Sequence, residues 1–159
     1  MTTSKDHFNI KIALRHPSYS AENISESLSL KPELSHAVGH QGPGTLRAKW
    51  NFFSACLQEG NDVADLEDAL ANVTFFLEKN APFWTQFIGG NGDVELILNH
   101  TIYPQEEEGD KCFELYLTAA FLGNLSARGI GLRVQGWQGG IQTTEFALRP
   151  EGRQHGDSG

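Results

Sequence analysis

Residues 8–15 read FNIKIALR, in which apolar and polar side chains alternate at every second position. Because successive side chains of a β-strand point to opposite faces, this alternation predicts a strand with one apolar and one polar face. Such a strand is typical of an antiparallel sheet that packs on a core through one face only. The polar face of this strand carries Lys11 and Arg15.

The two-residue alternation of strands and the three- and four-residue spacing of helices predict further elements along the chain. Alternation of the same kind predicts strands at 46–57, 94–100, 113–117, 130–134 and 141–148. Apolar residues three and four apart predict amphipathic helices at 21–30, 63–88 and 119–128. Ser20 is expected to cap the first helix, Pro82 to break or kink the second, and Gly129 to end the third. Residues 33–45 show neither period and are predicted to form a long irregular loop.

This order of elements predicts an α+β fold with a single, mainly antiparallel sheet of five to six strands and three helices on one face. The second half, residues 46–137, has the β-α-β-β-α-β order of a ferredoxin-like unit. We expect one domain over residues 1–149 and a disordered polar tail over 150–159. The core between sheet and helices is predicted to include Trp50, Phe52, Leu66, Leu70, Val73, Phe113 and Leu115.

Three segments of the chain are similar to a known family. They are ISESLSLKP at residues 24–32 after a strand, Trp50 within a strand, and DLEDAL at residues 65–70 opening the long helix. Together with a short helix and strand at residues 119–134, they resemble the bacterial family of domains of unknown function called DUF4279. The resemblance covers residues 8–137 in outline. It implies the same α+β fold and brings no established activity, cofactor or catalytic residue.

Composition and charge narrow the class of partner. The chain has 159 residues, and 20 acidic against 12 basic side chains give a formal charge of −8. This charge disfavours binding to duplex DNA or to an anionic membrane. Neither a secretory signal nor an apolar stretch long enough to span a bilayer is recognisable, so we expect a cytoplasmic protein without membrane or nucleic-acid partners. Cys56 and Cys112 lie in separate predicted strands and are expected to be reduced thiols.

Motifs for catalysis are not recognisable in this sequence. It contains no G-x-S-x-G nucleophile elbow and neither of the glycine-rich phosphate-binding patterns. His36 and His40 stand four residues apart and are candidate metal ligands, but no third ligand is identified. We therefore expect no cofactor and no metal, and a non-enzymatic protein rather than an enzyme.

The polar face of the predicted sheet carries the most informative pattern. Alternation places five basic residues there, and Tyr116 adds a hydroxyl; the basic residues are Lys11, Arg15, Arg47, Lys49 and Arg133. Glu95 and Glu114 are expected to neutralise part of this charge by cross-strand pairing. The hypothesis that follows is a binding module that docks an acidic protein partner, or a second copy of itself, through this face. The alternative is a small enzyme with a site between the loop 33–45 and the sheet, and an ordinary solvated face with charge pairs also remains open.

Overall fold

The computed structural model describes residues 7–39, 49–61, 63–102, 117–138 and 140–150. Within these residues it has six strands and four helices. In chain order they are β1 His7–His16, α1 Ala21–Leu28, β2 Leu34–His36, β3 Asn51–Gly60, α2 Val63–Lys79, α3 Ala81–Gly89, β4 Asp93–Ile102, α4 Ala119–Arg128, β5 Gly131–Gln138 and β6 Ile141–Leu148. None of the described helices is long and apolar enough to cross a membrane.

The six strands form one sheet in the order β2-β3-β1-β4-β5-β6. All neighbouring pairs are antiparallel except β4 and β5, which run parallel. The predicted single α+β sheet is therefore confirmed, but it is mixed, because α4 returns the chain before β5 begins. The predicted strand at 113–117 lies outside the described residues, so the ferredoxin-like unit stays a prediction.

The helix boundaries follow the local signals in the sequence. The hydroxyl of Ser20 accepts a hydrogen bond from the backbone N–H of Asn23, whose side chain accepts one in return from the N–H of Ser20. Gly129, at φ +74°, ends α4 in the left-handed region that glycine adopts without strain. The predicted long helix is divided at Asn80, and Pro82 lies in the first turn of α3, where its missing N–H costs nothing. The described chain consequently has four helices where three were expected.

All four helices pack into one core on a single face of the sheet. The apolar half of β1 is buried there, together with residues of each helix. The largest buried side chains include Trp84, Phe53, Phe87, Leu77, Leu96 and Ile24. Burial of this kind is the main favourable term in folding, so this face carries most of the stability of the protein.

In strand β3, the residues that face the core are shifted by one position from the predicted ones. Phe53 is fully buried in the core, whereas Phe52 lies on the other face and Trp50 precedes the strand with 38% of its surface exposed. The physical reason is Asn51, which is buried because its amide donates to the backbone oxygen of Tyr19 and accepts from the N–H of Val38, both at 2.8 Å. The prediction that Trp50 and Phe52 belong to the core is therefore wrong.

Some of the remaining core and loop predictions are confirmed, and others differ from the structure or lie outside the described residues. Leu66 and Val73 are buried as predicted, and Leu70 is half-buried at the edge of the core. Phe113 and Leu115 lie outside the described residues. Residues 34–36 are not irregular, since they form the short strand β2 against β3.

Candidate functional site

The sheet face opposite the four helices, called the open face below, holds the described members of the predicted basic group. Lys11, Arg15 and Arg133 alternate with buried residues of β1 and β5 and therefore lie on this face. Lys49 is exposed immediately before β3. Arg47, Tyr116 and His40 lie outside the described residues.

One row of side chains crosses four strands at the end of the open face. The register aligns His36, Phe52, Arg15 and Asp93 on neighbouring strands. The imidazole of His36 stacks on the Phe52 ring with centroids 5.2 Å apart, and the Arg15 guanidinium lies 5.2 Å from the same ring centre. The carboxylate of Asp93 is 3.7 Å from Arg15, which is thus held by a ring and by an opposite charge.

A second charged group surrounds the thiol of Cys56. Lys11 and Glu33 form an ion pair of 3.0 Å, and Cys56 lies opposite Lys11 in the register. Burial raises the pKa of the Cys56 thiol, and the negative charges of Glu33 and Glu59 raise it further. The thiol is therefore protonated at neutral pH and is a poor nucleophile.

Arg133 joins the three strands at the other side of the open face. Its Nε and Nη2 atoms donate to the two carboxylate oxygens of Glu95 at 2.9 and 3.3 Å, and its Nη1 donates to Glu145 on β6. The hydrogen bond with Glu95 is the main cause that raises the pKa of Arg133. A bond from Gln142 and the charge of Arg133 together lower the pKa of Glu145. The expected pairing of Glu95 is confirmed, and the forked contact gives Arg133 a fixed orientation.

A chain of neutral hydrogen bonds runs between these charged groups. The amide of Asn99 donates to Asn9 at 3.0 Å, and the indole N–H of Trp137 donates to Asn99 at 3.2 Å. The two amides and the indole thereby connect β1, β4 and β5. The hydrogen bond to Asn99 holds the indole against β4, so the apolar part of the Trp137 ring forms a defined surface.

Apolar side chains cross the open face between the polar groups. Phe52, Ala13, Ile97 and Trp137 occupy successive strands β3, β1, β4 and β5, and we call this set the apolar diagonal. Ala13 is buried among its larger neighbours, and the other three side chains are half-buried. Two-residue register steps join Phe52, Ala13 and Ile97, whereas Asn99 and Gln135 lie between Ile97 and Trp137, so the apolar strip is continuous from β3 to β4 only. The ion pairs Lys11–Glu33 and Arg15–Asp93 lie on its two sides.

Three basic residues of this face are compensated by carboxylates. Lys11, Arg15 and Arg133 are each paired with a carboxylate, and Glu59 lies on the same face. These three cations alone give no excess of positive charge. The predicted positive field therefore gains nothing from these three residues, and Arg47 lies outside the described residues.

The described part of the chain includes one of the two candidate metal ligands and part of the loop of the enzyme alternative. There, no group of three or more His, Cys, Asp or Glu side chains is arranged to hold a metal ion. His36 stacks on Phe52, and residues 40–45 of the loop 33–45 that the enzyme alternative requires lie outside the described residues.

Sequence reasoning missed three members of this site, namely Phe52, Glu33 and Asp93. Phe52 was assigned to the core, and the two acidic residues stand at element ends where alternation gives no signal. A cross-strand search for opposite charges could have suggested both carboxylates, since Lys11 and Arg15 were already placed on one face.

Comparison with known proteins gives no relative to extend this geometry. No protein-family model, curated protein or solved structure matches the chain. The resemblance to DUF4279 domains therefore stays a prediction, and the functional argument rests on the open face itself.

Proposed function

We propose that this protein is an interaction module that binds another protein through the open face. The observation that carries the proposal is the apolar diagonal, flanked by side chains that ion pairs already hold in place. Protein interfaces combine an apolar centre with a polar rim, and a partner that binds ordered side chains loses less conformational entropy. The open face has both properties within the described residues.

The ion pairs also define the chemistry of a suitable partner. Lys11 and Arg15 keep about a third or more of their side-chain surface exposed despite their pairing, at 35% and 44%. An acidic partner can therefore compete with Glu33 and Asp93 for these cations. We propose an acidic protein surface as the preferred partner, with face-to-face self-association as the second candidate.

The apolar centre is tested by Ile97→Arg, which places a charge in the middle of the diagonal. Its matched control is Phe75→Arg, because Phe75 is an exposed apolar residue of α2 on the helical side of the molecule. Chemical cross-linking in the native host, followed by mass spectrometry, should identify the same partners for the wild type and the control and lose them for Ile97→Arg. Identical partners for all three proteins would overturn the proposal.

The acidic character of the partner is tested separately by charge reversal. Lys49→Glu should weaken partner binding and leave the melting temperature nearly unchanged, because an exposed charge contributes only about 0 to 1 kcal/mol. Lys79→Glu on α2 reverses an equally exposed charge away from the open face. A partner whose binding is equally weakened by Lys79→Glu does not use the open face.

A further inference from the structure

The two edges of the sheet are built very differently. Strand β2 forms one edge and has three residues, whereas β6 forms the other and has eight. Within the described residues β6 pairs only with β5, and all eight of its residues are exposed. A long edge strand presents a row of backbone N–H and C=O groups to which another strand can bond.

Strand β6 also lacks the side chains that usually protect such an edge. Its sequence, IQTTEFAL, contains no lysine, proline or glycine, and its one charged residue, Glu145, is bound by Arg133 of the neighbouring strand. Three large apolar residues are exposed on it, namely Ile141 at 70%, Phe146 at 54% and Leu148 at 42%. Their exposure indicates a surface that another chain covers.

The apolar surface continues from the edge towards helix α4. Leu148 lines a hollow of about 200 Å³ together with Leu122, Leu125 and Leu132. Phe146 lies on the same face of the sheet, opposite the half-buried Val134. The sheet therefore extends beyond the described helices, with an apolar strip on its helical side.

Residues 145–149, EFALR, form a pattern that is complementary to itself. Around Ala147 the residue types are acidic, apolar, small, apolar and basic. When two such strands pair antiparallel about a twofold axis at Ala147, Phe146 lies opposite Leu148 of the second copy. The same axis places Glu145 opposite Arg149 of the second copy, and each of these pairs occurs twice. Apolar and opposite-charge pairs are the cross-strand combinations that stabilise a sheet.

We infer that β6 pairs antiparallel with β6 of a second copy, with Ala147 on the twofold axis, to form one continuous sheet across the dimer. This register pairs residues 145–149 of the two copies, so it satisfies the exposed backbone at that end of β6 and brings the apolar strips together. The twofold contact uses the same residues of both copies, so assembly ends at the dimer and does not continue as a fibre. An axis perpendicular to the sheet leaves both open faces on the same side, where they stay accessible.

The first experiment measures the mass of the full chain in solution over a concentration series. We expect a dimer for the wild type. Phe146→Lys should raise the dimer dissociation constant by more than about tenfold, because it removes two apolar cross-strand pairs and adds two charges at the interface. Phe75→Lys alters an apolar residue of similar exposure, 68%, on α2 and should leave the dimer intact. A monomeric wild type at every concentration overturns the inference.

The second experiment tests the register and does not depend on how Phe146→Lys folds. In a Cys56→Ser, Cys112→Ser background, Ala147→Cys places two thiols across the axis at a separation that a disulfide can bridge. Thr143→Cys is the control, because the two positions would lie about 26 Å apart along the paired strands. Oxidation should cross-link only the Ala147→Cys protein. Equal cross-linking of both variants, or cross-linking of neither, overturns the proposed pairing.

This outcome is distinguishable from that of the proposed function. Ile97→Arg alters the open face and should leave the β6 dimer unchanged, while Phe146→Lys alters the edge and should leave partner capture by each monomer unchanged. A dimer that Ile97→Arg dissociates and Phe146→Lys does not is assembled through the open face, which overturns the edge pairing.

Discussion

Two neighbouring phenylalanines of β3 show how differently the two faces of the sheet are built. Phe53 is fully buried among the helices, whereas Phe52 lies on the open face between His36 and Arg15. The helical face is fixed by packing and exclusion of water, and the open face by ion pairs and hydrogen bonds. The difference shows that residues of one type, side by side in the chain, serve stability in one case and surface chemistry in the other.

The largest expected effect comes from breaking the helical face. Phe53→Ala should lower the free energy of unfolding by about 3 to 5 kcal/mol, because it leaves a cavity in the packed core. Phe52→Ala should cost roughly 1 kcal/mol, since only part of its ring is removed from water. Urea denaturation of the two variants measures both values, and equal losses would contradict the difference between the faces.

A smaller effect is expected at Asn51, the polar residue at the end of the helical face. Asn51→Ala should cost about 1 to 3 kcal/mol, because the backbone groups of Tyr19 and Val38 lose two partly buried hydrogen bonds to the Asn51 side chain. The same denaturation measurement tests it. Asn61→Ala, at an exposed position after β3, is the control and should have little effect.

A third test is the pH dependence of the free energy of unfolding. It concerns His16, which lies opposite Asn51 in the register of β1 and β3. Its Nδ1 accepts hydrogen bonds from the backbone N–H groups of Ser18 at 3.0 Å and Tyr19 at 2.9 Å, so the buried ring is neutral. Burial lowers the pKa of His16 below its usual 6.5, and the unfolded chain therefore takes up the proton more readily. This contribution to stability is complete above about pH 6.5 and is lost as the pH falls from there towards the pKa of the folded state.

The variant His16→Asn sharpens this test, because the amide oxygen can accept the same bonds without titrating. Between about pH 7 and about pH 5, the free energy of unfolding should fall more steeply for the wild type than for His16→Asn. Denaturant titrations over this range provide the comparison. Parallel pH profiles would show that His16 does not carry the dependence.

The smallest effect is expected for the ion pairs of the open face. Lys11→Met should change the free energy of unfolding by less than about 1 kcal/mol, since the pair with Glu33 is partly exposed. The difference between this variant and the wild type should decrease further with added salt. A loss comparable to that of Phe53→Ala would mean that the open face also determines stability.

Much of the fold could be predicted from local signals. Ser20, Pro82 and Gly129 marked helix boundaries correctly, and the alternation of residues 8–15 identified the central strand. The parity of β3 could not be predicted, because Phe52 and Phe53 are equally apolar and only the hydrogen bonds of Asn51 decide which one turns inward. A three-residue strand such as β2 is too short for its period to be recognised.

The candidate site was predictable only in part for a related reason. Alternation within one strand placed Lys11, Arg15 and Arg133 on one face correctly. The pairing of Glu95 was expected, but Glu33 and Asp93 stand at element ends, and the register that brings them to these cations is a property of the whole sheet. Charges counted from one sequence therefore overstate the positive field of the described face.

The central position of β1 has a consequence for the order in which the protein can fold. Strand β1 is synthesised before both of its neighbours, and the bond between Asn9 and Asn99 joins residues 90 positions apart. Contacts between such distant residues form slowly, because a long loop must close before they contribute any stability. Until β4 has been synthesised, this central strand lacks one of its neighbours and leaves backbone groups and apolar side chains exposed, which makes the nascent chain prone to aggregation during that interval.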